Sequence, residues 1–160
     1  MKNKEKNVFI SHYNKDEKQI QNLKNLLSKK GYTIKNSSID STKPNRATNP
    51  EYIKRLLRLR INWAGKFIVL IGKNTHTRSW VDWEIQKAHE KGKKIIGVYL
   101  NGLKEKVKLP ENLNKYGHEV LAWNSDAIID SLENNERTPQ WQNPDGTARE
   151  SYWKNKTSNC

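Results

Sequence analysis

Short apolar runs alternating with helix-length amphipathic stretches constrain this chain more than any other feature. Val8-Phe9-Ile10, Phe67-Ile68-Val69-Leu70-Ile71 and Ile95-Ile96-Gly97-Val98-Tyr99-Leu100 carry apolar side chains in succession, as strands covered on both faces do. Val120-Leu121-Ala122-Trp123 is a further run of this kind, and Tyr32 to Ile39 reads as a more exposed strand ending at Asp40. Between the runs lie helical patterns. Ile20, Leu23, Leu26 and Leu27 form one stripe over Asp16 to Lys30, stopped by Gly31, and Ile53, Leu56, Leu57 and Ile61 form another after an Asn49 cap and Pro50. A third helix opens at Ser79, with Ser79 and Asp82 as a capping pair and Ile85, Ala88 and His89 on its inner face, and Gly92 closes it. Ser125 to Glu133 reads as a fourth. Alternation of this kind predicts an α/β fold, a flavodoxin-like doubly wound parallel five-stranded sheet, over residues 1–133.

Two segments lack periodicity. Ser41 to Pro50 has the breaker residues of a long loop able to serve as a lid. Residues 134–160 are polar but carry Trp141, Tyr152 and Trp153, so this C-terminal extension is either wrapped onto the domain by its aromatics or partly disordered.

Composition narrows the class. The chain has 160 residues, enough for one domain with a real core. Its single cysteine, Cys160, excludes an intramolecular disulfide and suits a cytoplasmic setting. The apolar run after the charged N-terminus is too short for a signal peptide, and the longest such run elsewhere is too short to span a bilayer, so no membrane role is expected. A formal net charge of +13 invites a polyanionic partner. Against nucleic acid stand the even spread of the lysines and the lack of any recognisable nucleic-acid-binding module. His12, His76, His89 and His118 show no metal-ligand spacing, and no metal site is expected.

Candidate site residues fall where open α/β sheets bind ligands, at the carboxyl ends of the strands. The first strand delivers Ser11 and His12 to that edge, and Ser79-Trp80-Val81-Asp82-Trp83-Glu84 brings a carboxylate to it. Ser11 and His12 are adjacent, so their side chains leave opposite faces of the strand and do not form a nucleophile-base dyad. Glu84 has a plain structural explanation too, since the dipole favours acids in a helix's first turns. Trp80 either stacks on a ligand ring beside Glu84 or serves packing and self-association. Asp40, at the end of the second strand, either binds a ligand hydroxyl or turns the chain.

With these motifs placed, the chain resembles the TIR superfamily, in particular the TIR-like enzymes of bacterial Thoeris anti-phage defence. The resemblance rests on Val8-Phe9-Ile10-Ser11-His12 with Asp16, on Phe67 to Gly72, on Ser79-Trp80 with Glu84, and on Lys94-Ile95-Ile96-Gly97-Val98, and it covers about Asn7 to Leu132. The loop after the second strand and Trp83 depart from the plant and animal pattern and agree better with the bacterial enzymes. What the resemblance implies is cleavage of the nicotinamide-ribose bond of NAD, with NAD as substrate and no cofactor. Glu84 would be the catalytic acid, Phe9 a lining residue of the nicotinamide pocket or simply core, and Arg46 a ligand of the diphosphate. The implied product is a cyclic ADP-ribose-type messenger that activates a partner effector protein, with ADP-ribose the outcome if water intervenes. A shared site in a homo-oligomer is also implied. The alternative is a non-enzymatic TIR-like assembly module that binds an effector and does not need Glu84.

Overall fold

The computed structural model describes residues 6–36 and 49–150. Its core is a five-stranded parallel sheet of β1 (Lys6–Ser11), β2 (Ile34–Asn36), β3 (Lys66–Ile71), β4 (Ile95–Tyr99) and β5 (Glu119–Leu121), in the order β2-β1-β3-β4-β5. Helices α1 (Lys18–Ser28) and α5 (Ser125–Glu133) cover one face; α2 (Pro50–Trp63), α3 (Ser79–Glu90) and α4 (Glu111–Tyr116) cover the other. The doubly wound fold expected from the alternation is therefore the fold observed.

The strands read as continuous apolar runs because both faces are buried. Val8, Ile10, Ile68 and Leu70 meet Ile20, Leu23 and Leu27 of α1 and Ile128 and Leu132 of α5. Phe9, Phe67, Val69 and Ile71 meet Leu57 and Ile61 of α2 and Val81, Ile85 and Ala88 of α3. Phe9 and Phe67 are in register on neighbouring strands, and their rings stack at 5.2 Å between centroids, worth about 0.5–1.5 kcal/mol beyond the buried area.

Several local expectations need correction. Asp16 lies in a 3₁₀ turn (Asn14–Asp16), and α1 begins at Lys18. Gly31 does end the turn after α1, with a φ of 73° that a side chain would resist. Asn49 caps α2 as expected, its side chain accepting from Glu51 N at 3.0 Å. Ser79 and Asp82 do not form a capping pair. Asp82 Oδ1 instead accepts from Asn112 N at 3.0 Å, while the Asp82 carbonyl accepts from Asn112 Nδ2 at 2.8 Å, tying α3 to α4. His89 is exposed and stacks on Tyr116 at 3.8 Å, off the inner face. The short helix α4 has too few residues for periodicity to reveal it.

Beyond α5, residues 134–150 run along the β5 edge. Val120 N donates to Gln140 O and Gln142 N donates to Val120 O, both at 2.9 Å, so a short parallel bridge at Trp141 extends the sheet. Trp141 packs against the α2–α4 side of the core. Arg137 Nε reaches the buried Glu119 carboxylate at 2.9 Å, and Arg137 Nη1 reaches Asp130 at 2.6 Å. Glu119 also accepts from the Ser131 hydroxyl and from Gln140 N. Arg149 Nη1 then donates to the Val107 carbonyl at 3.0 Å and to Tyr99 OH at 3.3 Å. Bridging the last strand in this way covers backbone groups that would otherwise invite pairing with another chain.

Candidate functional site

The alternation of side chains along β1 decides what reaches the site. Phe9 and Ser11 project to the α3 side, Val8 and Ile10 to the α1 side. Ser11 is fully buried, and its Oγ donates to Glu84 Oε1 at 2.6 Å. Glu84 sits in the second turn of α3, whose Val81, Ile85 and Ala88 anchor that helix on the sheet. Strand exit and helix thus place a hydroxyl and a carboxyl in contact across 73 residues of sequence.

Electrostatics make Glu84 unusual. The residue retains some open surface, yet its carboxyl end is enclosed by protein, and that desolvation pushes its pKa up to about 8 against the pull of the Ser11 hydrogen bond. At neutral pH the carboxyl is mostly protonated, and a cation placed against it would ionise it. Strongly shifted acids of this kind are concentrated at functional sites.

His12 stands on the other side of the strand. A carbonyl can only accept, so its Nδ1–H donates to the Ile10 carbonyl at 3.0 Å. Burial raises the pKa of Asp16, and the nearby His12 charge opposes this. Gly72, at the end of β3, lets the chain pass between two neighbours: a Cβ there would meet Asp16 Oδ2 at 2.8 Å and Leu100 Cδ1 at 2.9 Å. Ser11 and His12 do not contact each other, as expected of adjacent strand residues.

Trp80 lies one helical turn before Glu84, a spacing that puts the two on neighbouring parts of one face. It is 42% exposed and meets Trp83 edge-on at 5.7 Å. The Trp83 ring faces the cationic groups of Arg58, Lys87 and Lys54 at 5.6, 5.7 and 6.0 Å, so this residue links α2 and α3. Phe9, expected to be a pocket-lining residue or simply core, has no exposed surface and stacks on Phe67. Asp40 and Arg46 lie outside the described residues, as does most of the loop read as a lid.

One cation escaped the sequence reading. The Arg78 guanidinium lies 3.8 Å from the centroid of the Tyr13 ring, joining the β1 exit to the residue before α3. Its position immediately ahead of Ser79 was the available signal. The same edge of the sheet carries a polar cleft of about 490 Å³ beyond β4 and β5, whose lining includes Asn101, Trp123, Asn124, Gln142 and Asp145. Residues after α5 form one of its walls. Among the described residues no group of three His, Cys, Asp or Glu side chains is placed to hold a metal ion, and no helix is long and apolar enough to cross a membrane.

Comparison with known proteins gives this site a context. Residues 9–105 match the family described as Thoeris protein ThsB, TIR-like domain. A Bacillus cereus (strain MSX-D12) protein named "Putative cyclic ADP-D-ribose synthase ThsB1" is 46% identical over 54 residues, a match that spans 34% of this chain and 28% of that protein. Among solved structures, the chain is similar to the Clostridium botulinum CMP N-glycosidase BcmB, at 20% identity and a TM-score of 0.48 over 80% of this chain and 99% of that one. It is also similar to the TIR domains of the activated Roq1 resistosome, at 20% identity and a TM-score of 0.42 over 81% of this chain and 72% of that one.

Proposed function

Since the chain belongs to the Thoeris ThsB TIR-like family, we propose that it is an enzyme that cleaves the nicotinamide-ribose bond of NAD and forms a cyclic ADP-ribose-type product. The observation that carries this reading is the contact between the buried Ser11 hydroxyl and Glu84, whose pKa is raised, at the carboxyl edge of the sheet. The name of the Bacillus cereus relative is in keeping with it.

The chemistry asks little of the protein. Nicotinamide in NAD is a pyridinium, so it departs as a neutral molecule when the C1′–N bond breaks, and no general acid has to protonate it. Positive charge then develops on the ribose, and a carboxylate beside C1′ stabilises it. Glu84 fills that role once ionised, and the pyridinium supplies the charge that draws its proton off. Ser11 holds the carboxylate through a charge-assisted hydrogen bond and fixes its direction. Arg78, together with Arg46 from the loop, supplies positive charge for the diphosphate. Trp80 offers a ring on which a base can stack.

A ring nitrogen of the adenine of the same molecule closes the bond to C1′, and one proton is released overall; attack by water instead gives ADP-ribose, again with one proton. Folding the dinucleotide back on itself and excluding water favours the cyclic product. That product would act by switching on a partner effector, with homo-oligomerisation completing the pocket, and the reaction belongs in the cytoplasm, where NAD is abundant.

The test is mass spectrometry of nucleotides from cells expressing wild type or Glu84→Gln, with and without phage challenge. The reading expects free nicotinamide and a cyclic ADP-ribose isomer with wild type alone. Protection from phage with unchanged NAD metabolites in both would refute it and favour the assembly module.

A further inference from the structure

The opposite end of the sheet holds a second concave site with different chemistry. Parallel strands all begin there, and the starts of β3, β4 and β5 bring Gly65, Lys66, Lys94 and His118 together with Lys91, Gly92 and Lys93 from the turn after α3 and Asn135 from the segment after α5. They enclose a cleft of about 430 Å³. Four lysines line it, and among the described residues no carboxylate does.

What distinguishes this cleft from an ordinary lysine-rich surface is how its cations are held. Lys66 Nζ donates to Asn135 Oδ1 at 3.0 Å, Lys93 Nζ to the Asn62 carbonyl at 3.0 Å and Lys94 Nζ to the Ser131 carbonyl at 2.7 Å. Each acceptor is neutral. The ammonium groups are thereby oriented without a carboxylate in direct hydrogen-bond contact; Glu119 and Asp130 act on Lys94 from behind the lining, which leaves Lys66, Lys91 and Lys93 as the cleft's main positive charge. The nearest acid in the sequence, Glu119, is turned inward and already bonded to Arg137, Ser131 and Gln140. Salt bridges elsewhere on the surface pair lysine with acid, as Lys6 with Glu133 and Lys115 with Glu111 do.

His118 adds a neutral donor. Its Nδ1 accepts from Ile95 N at 2.9 Å, so the ring hydrogen is on Nε2. Burial, followed by the Lys94 charge, lowers its pKa and keeps the ring neutral. A cleft lined by several lysines, an imidazole N–H and an amide suits a compact ligand bearing several negative oxygens. Its concave shape and limited volume suit a small molecule better than an extended chain.

We propose that the cleft formed by Lys66, Lys91, Lys93, Lys94 and His118 binds a small oligophosphate anion, such as the phosphate chain of a free nucleotide, at a site separate from Glu84. Ser11 and Glu84 occupy the carboxyl edge of the sheet and this cleft the amino edge, so the two sites are occupied independently.

Calorimetric titration with inorganic tripolyphosphate tests this on the full chain. Wild type and Glu84→Gln are expected to bind alike, with affinity falling as salt rises. A Lys66→Gln, Lys91→Gln, Lys93→Gln triple variant is expected to bind at least tenfold more weakly, since each lysine contributes a charge-assisted contact, and Lys→Arg at the same positions is expected to restore binding. Those three lysines lie at the protein surface, and an unchanged urea midpoint establishes that the triple variant is folded. Equal binding by wild type and the triple variant would overturn the proposal in favour of diffuse surface charge. So would an equal heat from sulfate at matched ionic strength, or a single-stranded oligonucleotide binding more tightly per phosphate than tripolyphosphate, which would make the patch a nucleic-acid surface. Loss of binding in Glu84→Gln would overturn the separateness of the two sites and leave the NAD chemistry standing.

Discussion

Replacing Glu84 by glutamine should stabilise the protein more strongly the higher the pH. In the folded chain the carboxyl titrates near pH 8, and an unfolded glutamate titrates near 4.5. The sign follows from proton counting. Between these values the native state keeps a proton that the unfolded state has lost, so wild-type stability falls as pH rises. Below about pH 4.5 both states are protonated, and the contribution is fully present; above about pH 8 it is gone. A shift from 4.5 to about 8 corresponds to about 5 kcal/mol at 1.36 kcal/mol per unit. Solvent reaching the open part of the residue trims this to roughly 3–5 kcal/mol.

Glutamine keeps the shape and the acceptor for Ser11 but carries no titrating proton. Whatever fixed cost or gain its amide brings is the same at every pH. The difference in unfolding free energy between Glu84→Gln and wild type should therefore rise by several kcal/mol from pH 4 to pH 9, most steeply between pH 5 and 8. Urea denaturation at unit pH steps measures it, and other titrating groups cancel in the difference. A difference that stays flat within about 1 kcal/mol across that window, less than one unit of pKa shift, would refute the enclosed carboxyl.

Two further outcomes follow, one from the Ser11–Glu84 contact and one from the Glu119–Arg137 pair. If ionised Glu84 is the active form, kcat/KM for NAD should climb with pH, reach half its maximum near pH 8 and level off above it, and Ser11→Ala should lower it about 10-fold and move the limb to higher pH, because the Ser11 hydrogen bond that favours the carboxylate is lost. Stopped assays of nicotinamide release over pH 6–10 would reveal this; an unmoved limb in Ser11→Ala would sink the assignment. Arg137→Ala should destabilise the fold by about 3–5 kcal/mol, because it leaves the buried Glu119 carboxylate without its cation. Urea denaturation gives the loss, and limited proteolysis after residue 134 should accelerate if Arg137 holds the terminal segment in place.

Much of the architecture was legible because burial on both faces leaves a strong signal. Val8 to Ile10, Phe67 to Ile71 and Ile95 to Tyr99 are unbroken apolar runs since helices cover each side of them. The β2 strand was legible only loosely, as an edge strand of three described residues has one neighbour and a weak pattern. Placing Ser11 and Glu84 at one edge needed only strand direction and helix order. Their contact was not legible, since 73 residues separate them and only the three-dimensional crossing of β1 and α3 decides it. Asp82 was misread for a related reason. Spacing suggested a local cap, while its actual partner, Asn112, lies 30 residues away. Phe9 was legible as core and as site residue alike, and the structure shows it fully buried against Phe67. The Glu119–Arg137 pair gave no signal at all, because a buried ion pair across a chain reversal resembles two ordinary surface charges in sequence.

Keeping an acid where it costs stability at neutral pH makes physical sense only if something other than folding selects for it. A glutamine against Ser11, which keeps an acceptor for its buried hydroxyl, would fold at least as well, by the reasoning that a buried group with a raised pKa opposes the native state once it ionises. The enclosure that raises the pKa also strengthens any attraction between the ionised carboxylate and a cation entering the site, because little water is left to screen it. The same burial therefore weakens the empty fold and strengthens the occupied site. Under the proposed reaction, a pyridinium nucleotide would pass its positive charge from the leaving ring to the ribose as the bond breaks, and that exchange would work along the whole path: the substrate would ionise the carboxylate, and Ser11 would hold it against the charge it has to stabilise.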